Sequence, residues 1–134
     1  MNMSLTDFFE RNKEYGTVIL RIGLAVVFLW FGIDKFIHVQ NWIGWIPDWM
    51  VSIIPLSLAT FMYFQGFIET LVGLALLIGF RVRTASFFAA LAILGVLASL
   101  IGTGQTEILL RDLGLLAASI SLVFTGARKL AISR

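Results

Sequence analysis

Residues 61–80, FMYFQGFIETLVGLALLIGF, have the length and apolar character of a membrane-spanning helix, with one ionisable residue near the centre. Twenty residues rising about 1.5 Å each match the roughly 30 Å hydrocarbon core of a bilayer. Glu69 lies near that centre, where a carboxyl group is tolerated only if it faces protein or a water-filled cavity. A single helix provides neither, so we expect the other apolar segments to assemble around Glu69.

The composition of the chain indicates an integral membrane protein and limits its chemistry. Of the 134 residues, 59% are hydrophobic and 13% are charged, whereas soluble domains carry about 25% charged residues. The absence of cysteine excludes disulfides, thiol redox chemistry, iron–sulfur clusters and thioether-linked haem, and a single histidine, His38, excludes bis-histidine haem. We therefore expect no metal site and no covalently bound cofactor. Nucleic-acid binding is not expected either, because the chain has no basic face.

The apolar segments predict four membrane spans, at about residues 17–37, 61–80, 84–101 and 107–127. Small residues recur at helical spacing in the first and third segments, which lets helices approach closely in lipid. The predicted fold is therefore all-α, a four-helix membrane bundle that forms a single domain over residues 1–134. Arg21 lies about 21 Å from Lys35 along the first span, so we expect its side chain to extend towards the opposite membrane surface.

A tryptophan-rich segment between the first two spans, residues 38–59, is too short and too interrupted to cross the membrane. Trp42, Trp45 and Trp49 recur at near-helical spacing, and Pro47 interrupts the run. We predict an interfacial helix, split at Pro47, with its tryptophans at the level of the lipid headgroups. Two interpretations stay open: an aromatic anchor, which the frequency of aromatic belts favours, and a lid over a bound ligand.

The distribution of basic residues predicts the orientation of the bundle. Four spans place both termini and the turn at residues 81–83 on the same side of the membrane. That side holds eight of the ten lysines and arginines: Arg11, Lys13, Arg21, Arg81, Arg83, Arg128, Lys129 and Arg134. The positive-inside rule therefore predicts that both termini are cytoplasmic.

Six polar or charged side chains are expected to share the opposite half of the membrane: Asp34, Lys35, Gln65, Glu69, Arg111 and Asp112. Glu69 lies about 12 Å along its span and Arg111 about 6 Å along its own, a difference that an extended arginine can bridge. We therefore predict that Glu69 and Arg111 interact directly or through one water, with Lys35 as the next candidate partner. The near balance of charge fits a structural cluster, and it equally fits a site for a lipid headgroup, a quinone carbonyl or a proton.

Short motifs in the same order and spacing resemble a known family. Arg21 opens the pattern LRIGLAVVFLWFGIDKF, which closes with Gly32 and Lys35, and Glu69 precedes the glycines of the second span. The fourth span opens with Arg111-Asp112 and ends near Gly126. Across nearly its whole length, the chain resembles the DoxX family of small four-helix membrane proteins.

The resemblance implies a protein of the bacterial or archaeal cell membrane, but it does not imply one activity. The family takes its name from subunits of a thiosulfate:quinone oxidoreductase, and some members resemble partners of oxidative-stress enzymes. More distant relatives include cargo receptors and receptor-assembly chaperones.

The leading hypothesis is a membrane subunit of an oxidoreductase system that binds quinone or lipid near Glu69 and carries no redox centre of its own. In this hypothesis Lys35 and Arg111 donate hydrogen bonds to the ligand, and Glu69 holds or relays a proton. One alternative is a membrane chaperone or cargo-type protein with a structural polar core. Another is a small transporter, although its two halves show no internal repeat. The bilayer is the expected environment, and each hypothesis is compatible with a partner oxidoreductase subunit or a second copy of the chain as a further binding partner.

Overall fold

The computed structural model describes residues 4–127 and 131–132, and every regular element in this part of the chain is an α-helix. The elements in chain order are α1 Leu5–Arg11, α2 Tyr15–Ile37, α3 Val39–Ile43, α4 Asp48–Val51, α5 Leu58–Ile78, α6 Val82–Leu100 and α7 Thr106–Thr125. Four of them, α2, α5, α6 and α7, are long and apolar enough to cross a membrane. The prediction of an all-α four-helix membrane bundle is confirmed.

The helix boundaries follow local capping signals. Helix α5 begins three residues before the predicted span because the hydroxyl oxygen of Ser57 accepts a hydrogen bond from the backbone N–H of Thr60, at 3.2 Å. It ends at Gly79, whose φ of 78° is the left-handed conformation that favours glycine after a helix. Three basic residues used to predict the orientation, Arg128, Lys129 and Arg134, lie outside the described residues.

Helices α2 and α5 form the most extensive helix pair of the bundle. Gly32 and Gly66 face each other so closely that a methyl group added to either would lie 2.8 Å from the carbonyl oxygen of the other. One helical turn after these glycines come Lys35 on α2 and Glu69 on α5. The close approach of the two backbones therefore brings both charged side chains to the same level of the bundle.

The apolar core continues from this pair towards α6 and α7. Its fully or almost fully buried members come from all four spans and include Ala25, Phe28, Leu76, Val82, Ala89 and Leu122. Near the turn between α5 and α6, Arg21 lies with Nη1 2.9 Å from the position that a Cβ on Gly79 would take, and the residue is only 2% exposed. Arg21 therefore extends towards the end of the bundle at this turn, the direction that the sequence predicted, and it is covered by protein there.

The tryptophan-rich segment is split as predicted. Helices α3 and α4 are separated by residues 44–47, and Pro47 occupies the N-cap position of α4 with extended backbone. Proline is tolerated at the start of a helix because the missing N–H would have no intrahelical partner there. The two short helices cross from the end of α2 to the start of α5 at one end of the bundle.

The close contact of α2 and α5 gives a first prediction. Gly66→Ala should destabilise the protein by about 1–3 kcal/mol, the usual cost of overpacking, because the backbone of α2 must move away from the new methyl group. Gly23→Ala is the matched control, since nothing lies within 4 Å of a Cβ at Gly23. Unfolding of the detergent-solubilised variants, followed by circular dichroism, measures the difference. Equal stability of the two variants would contradict the contact.

Candidate binding cavity

A cavity of about 420 Å³ lies at the end of the bundle that the tryptophan-rich segment covers. Its walls come from all four spans and from that segment. Lys35 and Arg111 are the only charged residues among its described lining, and Gln65 and Ser99 add an amide and a hydroxyl group. The rest of the wall consists of apolar and aromatic residues and one glycine: Phe31, Trp42, Trp45, Ile46, Pro47, Met50, Phe61, Met62, Leu91, Ala92, Gly95, Val96, Leu100 and Ile108. A largely apolar cavity of this size with a few convergent polar groups is typical of a small-molecule site.

Lys35 and Glu69 form a buried ion pair beside the cavity. Lys35 Nζ donates to both carboxylate oxygens of Glu69, at 2.8 and 3.0 Å, and the two side chains are 5% and 10% exposed. The ammonium group also lies 4.0 Å from the centre of the Trp42 ring, a distance suited to a cation–π interaction. The environment that Glu69 requires inside the membrane is therefore provided by Lys35, the second of the two partners considered from the sequence.

Arg111 pairs with its neighbour in the chain, Asp112. Arg111 Nε donates to Asp112 Oδ1 at 3.1 Å, and the guanidinium carbon lies 5.6 Å from the centre of the Phe31 ring. The two side chains differ in burial, since that of Arg111 is 55% exposed and that of Asp112 only 6%. Glu69 and Arg111 were predicted to interact directly or through one water, and of these two forms the direct contact is wrong. Each basic residue of the cavity has its own acidic partner.

A smaller cavity of about 60 Å³ lies next to the first and shares Lys35 and Arg111 with it. The acidic partners Glu69 and Asp112 line this smaller cavity, together with Phe28 and other apolar side chains. Its volume is sufficient for water, which needs roughly one probe sphere of space and a few polar partners. A water between Glu69 and Arg111 is therefore compatible with the geometry.

Asp34 connects the end of α2 to the tryptophan-rich segment. Trp42 Nε1 donates to Asp34 Oδ2 at 2.8 Å, and His38 Nδ1 lies 2.7 Å from Asp34 Oδ1. These contacts hold the indole ring of Trp42 against Lys35 and Phe31. Asp34 therefore does not line the cavity, and it positions a residue that does.

The three tryptophans do not form one aromatic face. Trp42 is partly buried in the polar cluster, Trp45 is exposed on one side and lines the cavity on the other, and Trp49 is exposed away from the cavity. An anchoring role alone therefore does not describe Trp42 and Trp45. Their position favours the second interpretation from the sequence, a lid over a ligand.

The structure brings five of the six predicted polar residues together around the two cavities: Lys35, Gln65, Glu69, Arg111 and Asp112. Sequence analysis missed Phe31, whose ring faces both Lys35 and Arg111, and the lining residues Gly95 and Ser99 of α6. Phe31 lies four residues before Lys35, and this spacing places both on one face of the helix. The sequence therefore contained a signal for Phe31.

The DoxX family model matches residues 16–101 of the chain, which is more than half of its length. The chain belongs to the DoxX family. The matched region includes Lys35, Glu69 and the tryptophan-rich segment of this DoxX protein, and Arg111 and Asp112 lie beyond it. The resemblance expected across nearly the whole length therefore holds for the first three spans. No curated protein and no solved structure matches the chain.

Proposed function

We propose that this DoxX protein binds a quinone in the 420 Å³ cavity and serves as the quinone-binding membrane subunit of an oxidoreductase system. The observation that supports the proposal is the position of Arg111, whose charged hydrogen-bond donor lines a largely apolar and aromatic cavity beside the Lys35–Glu69 ion pair. A quinone has the complementary form, with carbonyl oxygens on a flat ring and an apolar tail. Aromatic walls such as Phe31 and Trp42 suit the faces of such a ring.

The charge balance of the cavity favours a neutral carbonyl over an anionic headgroup. Lys35 is already paired with Glu69, and Arg111 with Asp112. Asp34 nearby pairs with His38, so each of these three acidic residues already has a basic partner. A phosphate would add further negative charge to this cluster in a medium of low polarity, where uncompensated charge is costly. A carbonyl oxygen requires only a donor, and Arg111 can supply one.

The chain has no cysteine and a single histidine, so it offers no ligands for an iron–sulfur cluster and no bis-histidine haem site. In the proposed role the redox centre belongs to a partner subunit, and the DoxX protein holds the quinone within its reach. The protein is then a binding subunit, with Lys35 orienting Glu69 and with Arg111 donating to the quinone carbonyl. Glu69 lines the adjoining small cavity, and in the proposed role it exchanges a proton with water there.

Extraction of the purified protein tests the proposal. The protein, isolated in mild detergent from its native membrane, should release a quinone in a stoichiometric amount, identified by mass spectrometry. Addition of decylubiquinone or of a menaquinone to the delipidated protein should quench part of the tryptophan fluorescence, because Trp42 and Trp45 lie in the cavity wall. Recovery of a phospholipid in place of quinone, or a copurified protein without any small molecule, would overturn the proposal.

We also propose that the protein resides in the cell membrane with both termini in the cytoplasm. Reporter fusions at residue 134 and within residues 102–105 should give a cytoplasmic and an external signal, respectively, because most of the basic residues lie on the side of the termini. An external signal from the fusion at residue 134 would contradict this orientation.

A further inference from the structure

We infer that the cavity opens sideways into the bilayer between α5 and α6, and that the quinone tail leaves through this opening past Gly95. The inference rests on the proposed function, since it assigns a path to the tail of the same ligand. A quinone that is held by its head inside a bundle needs such a path, because its tail is stable only in an apolar surrounding.

The opening follows from how α5 and α6 are joined. A tight turn at residues 79–81 connects them at one end of the bundle, and the cavity lies between their opposite ends, residues 61–65 of α5 and 91–100 of α6. Contact between α5 and α6 is much less extensive than the contact between α5 and α2. The two helices therefore leave space between them at the end furthest from the turn.

One flank of α6 forms the apolar rim of this opening. Leu91 and Gly95, one turn apart, both line the cavity and are exposed, Leu91 to 48%. Ile93 lies on the opposite flank and packs into the core of the bundle. The rim is uncharged, as expected for a passage that meets lipid and not water.

Gly95 controls the width of the passage. A Cβ on Gly95 would meet nothing within 4 Å, so this glycine is not required for helix packing within the described chain, unlike Gly66. Gly23 and Gly114 have equally open surroundings, but neither lines the cavity. The Cβ of a larger side chain at position 95 would therefore contact no neighbouring helix, and the rest of that side chain would extend into the passage.

Substitution of Gly95 by phenylalanine tests the inference, with Gly114→Phe as the matched control. Binding is measured for two matched pairs of probes: decylubiquinone with its tail-less dimethoxy-methyl-benzoquinone head, and a menaquinone with menadione. Gly95→Phe should weaken binding of the tailed quinone by about tenfold or more, and it should weaken binding of the tail-less head much less. Gly114→Phe should change neither. Leu91→Trp, on the same rim, provides a second variant in case Gly95→Phe does not fold.

The outcomes separate this inference from the proposed function. If the rim variants weaken both members of a pair equally, or weaken neither, the tail does not pass between α5 and α6, although the cavity still binds quinone. If Gly114→Phe has the same effect as Gly95→Phe, the inference is also overturned. A wild-type protein that binds no tailed quinone and no head group instead overturns the proposed function itself.

Discussion

Lys35→Leu and Glu69→Leu should each destabilise the folded protein by about 3–5 kcal/mol, because each leaves the other charge buried without a partner. Both side chains of the pair are almost fully buried, and Lys35 Nζ donates to both carboxylate oxygens of Glu69. Replacement of both residues by leucine removes both charges at once and can be nearly neutral. The double variant should therefore lose far less stability than the sum of the two single variants.

A double-mutant cycle, measured by unfolding in detergent, determines the coupling free energy between Lys35 and Glu69. Glu10 and Lys13 on the surface provide the control pair, since their ion pair is 3.4 Å long and mostly exposed. Coupling in the control should stay below about 1 kcal/mol. If the losses in unfolding free energy from Lys35→Leu and Glu69→Leu are additive, the pair does not stabilise the bundle. Quinone binding by a folded double variant would show in addition that the pair is structural and does not hold the ligand.

The spans could be predicted from the sequence because length and apolar character identify them directly. The partner of Glu69 could not be predicted from depth alone, since depth compares positions along the membrane normal and says nothing about the angle around the bundle. The signal that identifies Lys35 as the partner of Glu69 is the glycine one turn before each of these residues. Gly32 lies three residues before Lys35, and Gly66 lies three residues before Glu69. Facing glycines let two helices come into contact, and the residues one turn further along then lie close together.

The sequence predicted one aromatic face from the spacing of the tryptophans, but that spacing spans the interruption between α3 and α4. Trp42 lies in α3 and Trp49 in α4, so the two are not on one continuous helix with one face. The hydrogen bond from Trp42 to Asp34 then determines where the first indole ring lies. A tertiary contact of this kind has no signature in the spacing of the residues.

The cavity could not be predicted from the sequence. The small residues of the third span predicted close packing, and Ala85 and Ala89 are indeed buried in the core. Ala92 and Gly95, further along the same helix, line the cavity, and Ala92 also packs against the edge of the core. The difference arises because α6 meets α5 near the turn and leaves space further along, and small side chains suit both situations.

Arg111→Met, made in an Asp112→Asn background, should weaken quinone binding by about tenfold or more. Among the described residues, the one side-chain hydrogen bond of Arg111 uses Nε, so both terminal nitrogens are available to a ligand in the cavity. A hydrogen bond from a charged donor contributes about 1.5–3 kcal/mol, which corresponds to a factor of about 10–150 in the dissociation constant.

The Asp112→Asn background separates binding from stability. Asp112 is almost fully buried, and Arg111→Met alone would leave its carboxylate without a partner, which destabilises the bundle for reasons unrelated to a ligand. Asparagine keeps the shape of the side chain and removes its charge. Asp112→Asn alone should therefore bind quinone about as well as the wild type, because the guanidinium group is retained.

Titration of the single and double variants with decylubiquinone or a menaquinone, together with unfolding of each, provides the measurement. A double variant that is as stable as Asp112→Asn but binds quinone at least tenfold more weakly supports Arg111 as the donor to the carbonyl oxygen. Unchanged binding would contradict this role and would leave Gln65 as the donor, since Gln65 also lines the cavity and Lys35 is engaged by Glu69. In that case Gln65→Leu would lower the affinity for quinone. If Arg111 is the principal donor, Gln65→Leu should lower the affinity less than Arg111→Met does, because a neutral amide forms a weaker hydrogen bond than a guanidinium group.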